Sequence, residues 1–145
     1  KIVMQSVERL NGKTTAATVG VKVNIAPGLP ETRGDVKSLE RAVLAVLDNA
    51  VKFSHPCGEV RVDVVPDPGG VTVVVEDDGV GIPEEAVPFI FDRFFHIDKV
   101  GDRLFRGAGI GLSIARAVIE QHQGYINVKS QLGAGSTFTI HLPAV

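Results

Sequence analysis

Apolar and polar positions along this chain switch repeatedly between a period of two and a helical period. Val19, Val21, Val23 and Ile25 alternate with Thr18, Gly20, Lys22 and Asn24, which predicts a half-buried strand ended by Pro27-Gly28-Leu29-Pro30. Asp35 or Ser38 can cap the helix that follows. In it Leu39, Ala42, Val43, Val46, Leu47 and Ala50 recur at helical spacing until His55-Pro56-Cys57-Gly58. Val60, Val62 and Val64 alternate with Arg61 and Asp63, and Val71–Glu76 forms another strand after the turn Pro66-Asp67-Pro68-Gly69-Gly70, so the two read as a hairpin. Pro83-Glu84-Glu85 has the signature of a helix start. Phe89–Arg106 shows no clear period. A further helix begins near Gly109, carries Ile110, Ile114, Ala117 and Val118 on one stripe, and is closed by Gly124 as its C-terminal cap. Ile126 and Val128, then Phe138, Ile140 and Leu142, give two last strands around Gly133-Ala134-Gly135.

Hairpins mixed with helices predict an α+β fold: a two-layer sandwich with helices on one face of a mixed, mostly antiparallel sheet. A doubly wound fold would need strict alternation of strand and helix. The 145 residues suit a single domain over 1–145, and 44% hydrophobic content with a net charge of −2 excludes a disordered chain. Fifteen Lys plus Arg against 17 Asp plus Glu gives no general pull toward nucleic acid or anionic lipid. The single cysteine, Cys57, excludes an internal disulfide, and there is no apolar run long enough for a membrane span. The chain begins at Lys1, which points to a piece of a longer protein whose other parts can carry an anchor.

Three clusters carry candidate chemistry. Asn49 and Lys52 fall on roughly one face of the first helix; a carboxamide oxygen can ligate magnesium, and an ammonium can meet phosphate. A solvated helix face is the alternative for this pair. Asp77-Asp78-Gly79-Val80-Gly81-Ile82 follows a strand directly. Its glycines let the backbone turn close to a flat ligand, and an aspartate at a strand end can accept from an exocyclic amine; an ordinary turn is the alternative. Gly107-Ala108-Gly109-Ile110-Gly111-Leu112 opens the last helix, where unpaired N–H groups favour phosphate. The spacing matches neither the P-loop nor the dinucleotide fingerprint. Between the second and third clusters lie Phe89, Phe91, Phe94, Phe95 and Phe105, interleaved with Arg93, Lys99, Arg103 and Arg106. That combination suits a flap over a polyphosphate, or a satellite core with a charged rim. His55, His96, His122 and His141 lack ligand spacing and are read as non-ligands, and Ser54, Ser113 and Ser136 sit in no nucleophile elbow.

Taken in order, these residues resemble the catalytic, ATP-binding domain of bacterial sensor histidine kinases, a branch of the superfamily that also holds the ATPase domains of gyrase, Hsp90 and MutL. Gly34-Asp35 through Phe53 resembles the N box, Asp77–Ile82 the first glycine box, Phe91-Asp92-Arg93-Phe94-Phe95 the F box and Gly107–Leu112 the second glycine box; Gly133–Phe138 and Leu142-Pro143 resemble the last hairpin. The likeness covers roughly residues 34–143, with a mobile lid at about 93–107. It implies that the chain binds ATP and Mg²⁺, with Asn49 on the metal and Lys52 on phosphate. Asp77 would accept from the adenine amine, while Gly79 and Gly81 make room for the base. Gly107, Gly109 and Gly111 would shape the lid end, and Arg93, Arg103 or Arg106 would approach the γ-phosphate. Ile82, Phe91, Ile110, Leu112 and Thr137 complete the implied nucleotide contacts.

The same resemblance implies transfer of the γ-phosphate to a histidine on a separate dimerisation domain, for relay to a response regulator. It places this domain in the cytoplasm, with no contact to nucleic acid or membrane, within a homodimer that can be anchored in the inner membrane. None of the four histidines here is followed by an acid, so the acceptor lies outside the chain and the fragment should bind ATP without labelling itself. Two departures matter. Ala45 stands where the family usually has a second asparagine and its hydrolytic relatives a glutamate, which disfavours an ATP hydrolase. Ala108 replaces a residue that is often polar. The alternatives are an anti-sigma-factor-type serine kinase and a degenerate nucleotide sensor.

Overall fold

The computed structural model describes residues 20–32, 34–54, 58–92, 99–100, 103–104 and 111–144, the residues at 99–100 and 103–104 by their backbone alone. Its centre is a five-stranded sheet of β1 (Gly20–Ile25), β2 (Glu59–Asp67), β3 (Gly70–Asp77), β6 (Tyr125–Gln131) and β7 (Gly135–Pro143), in the order β1-β2-β3-β7-β6. β1 pairs with β2 in parallel and every other pair is antiparallel. The mixed, mostly antiparallel sheet read from the sequence is therefore the one found. Two more strands, β4 (Lys99–Val100) and β5 (Arg103–Leu104), form a separate short hairpin.

Helix α1 (Val36–Phe53) starts where its cap dictates: the Asp35 carboxylate accepts the N–H of Ser38. Its predicted stripe, Leu39, Ala42, Val43, Val46, Leu47 and Ala50, is buried against Val60, Val62, Val73, Val75, Phe138 and Ile140 of the sheet. Helix α2 (Gly111–Gln121) packs beside α1, running antiparallel to it. A side chain on Gly34 would strike His122 at the end of α2, while one on Gly111 would lie 3.7 Å from the Ala45 methyl. His122 ties the two ends: its Nε2 accepts the Asp35 N–H at 3.0 Å and its Nδ1 reaches the Val118 carbonyl at 2.7 Å.

Three expectations need correction. Pro83 opens a turn rather than an α-helix, followed only by the 3-10 turn Val87–Phe89. An α-helix from Pro83 would soon meet Pro88, which lacks a donor and crowds the preceding turn. On α2 the buried stripe is Ala115 and Ile119 with Leu112 and Val118 beside it, whereas Ile114 and Ala117 face outward. Several apolar residues at mixed three- and four-residue spacings define two overlapping stripes, and contact with α1 selects between them. The left-handed residue ending α2 is Gln123 (φ 64°), not Gly124. The N–H groups of Gln123 and Gly124 bond Glu120 and Ile119 carbonyls, as in a Schellman end. Gly124 is needed one residue on, where a Cβ would sit 2.0 Å from the His141 carbonyl oxygen.

Candidate functional site

The last turns of α1 are the floor of the site. Ala45, Asn49 and Lys52 follow one another at four- and three-residue spacing and all three are half-buried, beside the fully buried Val46 and Ala50. The Lys52 ammonium lies 5.9 Å from the centre of the Phe53 ring. Beyond Phe53 the helix stops at Ser54, whose N–H bonds the carbonyls of Ala50 and Val51. The Phe53 carbonyl is then available to the loop after β3, and accepts the N–H of Val80 at 3.0 Å. Gly79 presses so closely here that a Cβ would come within 1.9 Å of the same oxygen.

Asp77 ends β3 on the core-facing side of the sheet. Its row runs Val60, Asp77, Ser136 across three strands, parallel to the row Val62, Val75, Phe138. It is 1% exposed. Oδ1 accepts the Gly79 N–H at 2.9 Å, while Oδ2 is sealed from water without a hydrogen-bond partner among the described residues. Burial pushes this carboxyl above the usual range; the Gly79 and Ser136 N–H groups act against that, Asp78 adds to it, and Arg61 opposes it. A buried acceptor without a donor is costly, and Oδ2 is the oxygen of this carboxylate with capacity for a further donor.

The loop 79–82 is braced from the opposite side by the β6–β7 turn. The Gly133 N–H bonds the Val80 carbonyl at 2.8 Å, and the Ile82 N–H is accepted by the Ser130 hydroxyl at 2.7 Å. Ser130 in turn lies 2.8 Å from the Ser136 hydroxyl. Gly81, at φ 75°, has the Gln131 carbonyl oxygen where a Cβ would be, 2.2 Å away, and Ile82 is buried. Of the implied residues, Gly79 is brought against Phe53 and Ser54 at the end of α1 and Gly111 to the Ala45 methyl in its middle, Asp77 joins Gly79 through its carboxylate, Gly81 packs on the β6–β7 turn, and Ile82 and Leu112 belong to the core.

Other implied residues are placed differently. Thr137 lines the same open cleft as Asp77, but strand alternation puts it on the outer face, between Glu76 and Lys129 in register. Its neighbour Ser136, 2% exposed and directly opposite Asp77, takes the inner position. The in-phase buried positions Phe138 and Ile140 were the sequence signal for it. Phe91 is half-buried, edge-on to Phe138 with ring centres 6.2 Å apart, and the Arg116 guanidinium lies 5.9 Å from its ring. Arg93, Arg106, Gly107, Gly109 and Ile110 lie outside the described residues, as does most of the expected lid, and Arg103 is placed only as part of β5.

On the outer face Arg61, which no motif pointed to, bonds Asp78 through Nη1 and Nη2 at 2.9 and 3.0 Å and also bonds Glu76. These bonds hold the Asp78 carboxyl below its usual range and raise the guanidinium further above neutrality.

Among the described residues no group of three His, Cys, Asp or Glu side chains could hold a metal. Asn49, the carboxamide that the resemblance puts on a metal, is half-buried on α1. No helix among the described residues is long and apolar enough to cross a membrane.

Comparison with known proteins matches residues 34–145 to the family described as histidine kinase-, DNA gyrase B- and HSP90-like ATPase. The circadian input-output histidine kinase CikA of Synechococcus elongatus is 37% identical over 111 residues, 77% of this chain and 15% of that protein. The sensor protein SrrB of Staphylococcus aureus is 35% identical over 109 residues, 75% of this chain and 19% of the relative. Such relatives are much longer than the stretch they share with this chain. Among solved structures, the mycobacterial sensor histidine kinase MprB superposes with a TM-score of 0.82 at 34% identity, covering 98% of this chain and 91% of that one. Full-length ShkA, in complex with AMPPNP, gives 0.82 at 27% identity, covering 98% of this chain and 29% of that one.

Proposed function

Because the chain belongs to the histidine kinase-, DNA gyrase B- and HSP90-like ATPase family, we propose that it is the ATP-binding catalytic domain of a sensor histidine kinase. The observation that carries this reading is the buried Oδ2 of Asp77, without a hydrogen-bond partner among the described residues, on a turn held to the end of α1 through Gly79, Val80 and the Phe53 carbonyl. An adenine amino group is a donor of the right kind for that oxygen. The close approach of the Phe53 and Gln131 carbonyls requires glycine at 79 and 81 and so fixes the turn that follows Asp77. The AMPPNP held by ShkA, a neighbour in structure, supports the same ligand class.

Phosphoryl transfer asks a protein mainly to align the γ-phosphate and to offset its charge. Lys52 offers a cation to the phosphates, and the N–H groups opening α2 at Gly111 and Leu112 offer donors on the same side of α1. Asn49 would hold magnesium, which when bound neutralises phosphate charge. One of Arg93, Arg103 and Arg106 reaches the γ-phosphate, and residues 93–107 act as the lid that excludes water. The nucleophile is a histidine imidazole on the dimerisation domain of the same protein, and a response regulator receives the phosphoryl group. The full-length protein is a homodimer whose catalytic domain lies in the cytoplasm. Alone, this chain binds ATP and does not label itself.

The test mixes the chain with a separately made dimerisation domain of its own protein and ATP labelled at the γ-position. Acid-labile label on that domain supports the kinase reading. ATP binding without any label supports a nucleotide sensor, a reading that Ala45 favours because it places a methyl group against Gly111 where a second carboxamide is expected. No binding of ATP, with or without magnesium, overturns both.

A further inference from the structure

The end of β3 is held from the far side of the sheet. Asp77 is flanked in sequence by two other acids, Glu76 and Asp78. Three successive carboxylates repel one another, and any of them is chemically able to accept the donors at the site. The chain sorts them through one residue. Arg61, on the neighbouring strand and in register with Glu76, bonds Glu76 and takes Asp78 in a two-pronged clasp at 2.9 and 3.0 Å. Glu59 lies 3.9 Å from the same guanidinium. Both neighbours of Asp77 are thereby drawn to the outer face, which leaves Asp77 alone on the inner one.

Resting on the reading of Asp77 as the acceptor for the base, we propose that Arg61 is a positioning residue for nucleotide binding: by clasping Asp78 and Glu76 outside the sheet it fixes the Asp77–Gly79 turn and keeps Asp77 Oδ2 directed inward. The planar fork matters because two parallel bonds set orientation as well as distance. Charge acts in the same direction. Among the groups acting on Asp77, Asp78 disfavours its ionised form and Arg61 favours it, while Val60 and Ser136, its partners in register, carry no charge. Exposed ion pairs are individually weak, so the expected effect on affinity is modest and is best read through coupling.

The experiment titrates the 145-residue chain with ATP and magnesium by calorimetry between about pH 5 and pH 8, with folding followed by circular dichroism. The variants are Arg61→Met, Asp78→Ala, the two combined, and Asp77→Asn. Each of the first two should weaken ATP binding about three- to fivefold, and the double variant should be no weaker than either. The pH at which binding is half lost on the acid side should rise in Arg61→Met, where Asp78 is left uncompensated, and return in the double variant. A purely structural role would not move that midpoint. Arg61→Lys keeps the charge without the fork, and should show the parental midpoint with weakened affinity, which covers the case in which Arg61→Met does not fold. Parental affinity at every pH for Arg61→Met or Arg61→Lys, with Asp77→Asn defective, overturns the role of Arg61 and leaves that of Asp77 standing. Additive losses in the double variant overturn the clasp. Parental binding by Asp77→Asn overturns both.

Discussion

Asp77 stands directly opposite Ser136 across the β3–β7 ladder, two residues beyond the pair Val75–Phe138 on the same core-facing side. A strand built from valine thus ends by turning a carboxylate into the place of a core side chain.

Replacing Asp77 by Asn should abolish strong ATP binding, with a loss on the order of 30- to 100-fold if one hydrogen bond to a charged group is removed. It should also stabilise the nucleotide-free protein. Burial raises the Asp77 carboxyl above its unfolded value, so the folded state holds the proton longer. The stability contribution of Asp77 is therefore most favourable below the unfolded value and declines as pH rises through the raised one. Asp77→Asn should melt about 2–4 °C higher than the parent at neutral pH, with the gain vanishing in acid. Thermal melts at several pH values check this; a variant that melts lower at neutral pH contradicts it.

Ser136→Ala and Thr137→Ala should separate the two faces of β7. The first removes the hydroxyl beside Ser130 at the buried end of the Asp77 row, and should cost about 1 kcal/mol of stability and weaken ATP binding. The second changes an outer-face position and should stay within about 0.5 kcal/mol, with binding unchanged. Denaturant titrations with paired calorimetry give the comparison.

Gly81→Ala should do more damage than Gly133→Ala, although both glycines have positive φ, 75° and 85°. Each substitution carries the left-handed cost of about 1–2 kcal/mol. Only at Gly81 does the new methyl also meet backbone, 2.2 Å from the Gln131 carbonyl oxygen, whereas nothing lies within 4 Å at Gly133. Gly81→Ala should accordingly lose ATP binding and Gly133→Ala should keep it.

Ala45→Asn should make ATP binding depend more strongly on magnesium. The new carboxamide would stand one turn before Asn49 on the same half-buried stripe, adding a second hard oxygen donor. Titrations with and without magnesium measure the change; an unaltered metal dependence would remove position 45 from the metal side of the site.

Much of this was legible in the chain itself. The α1 stripe from Leu39 to Ala50 and the alternating valines of β2 and β3 specify their elements because burial on one face imposes one period and tolerates no other. The motif order also singled out Asp77, Gly79 and Gly81, whose residue types are tied to the local demands of one turn. Less legible was which of two adjacent residues faces the site. Thr137 and Ser136 are chemically alike, and only the register of β7 against β3 separates them. The same holds for α2, where Ile114 and Ala115 are both apolar and contact with α1 buries the second.

By itself, then, the sequence determined the main helices and strands and their order, since these depend on periodicity and on groups close along the chain. Tertiary structure decided that Asp77 is sealed with one oxygen unpartnered among the described residues, that Ser136 is its partner in register, and that Arg61 gathers the flanking acids on the opposite face. Those facts arise from pairing between strands distant in sequence, where a shift of one residue exchanges every inward side chain for an outward one.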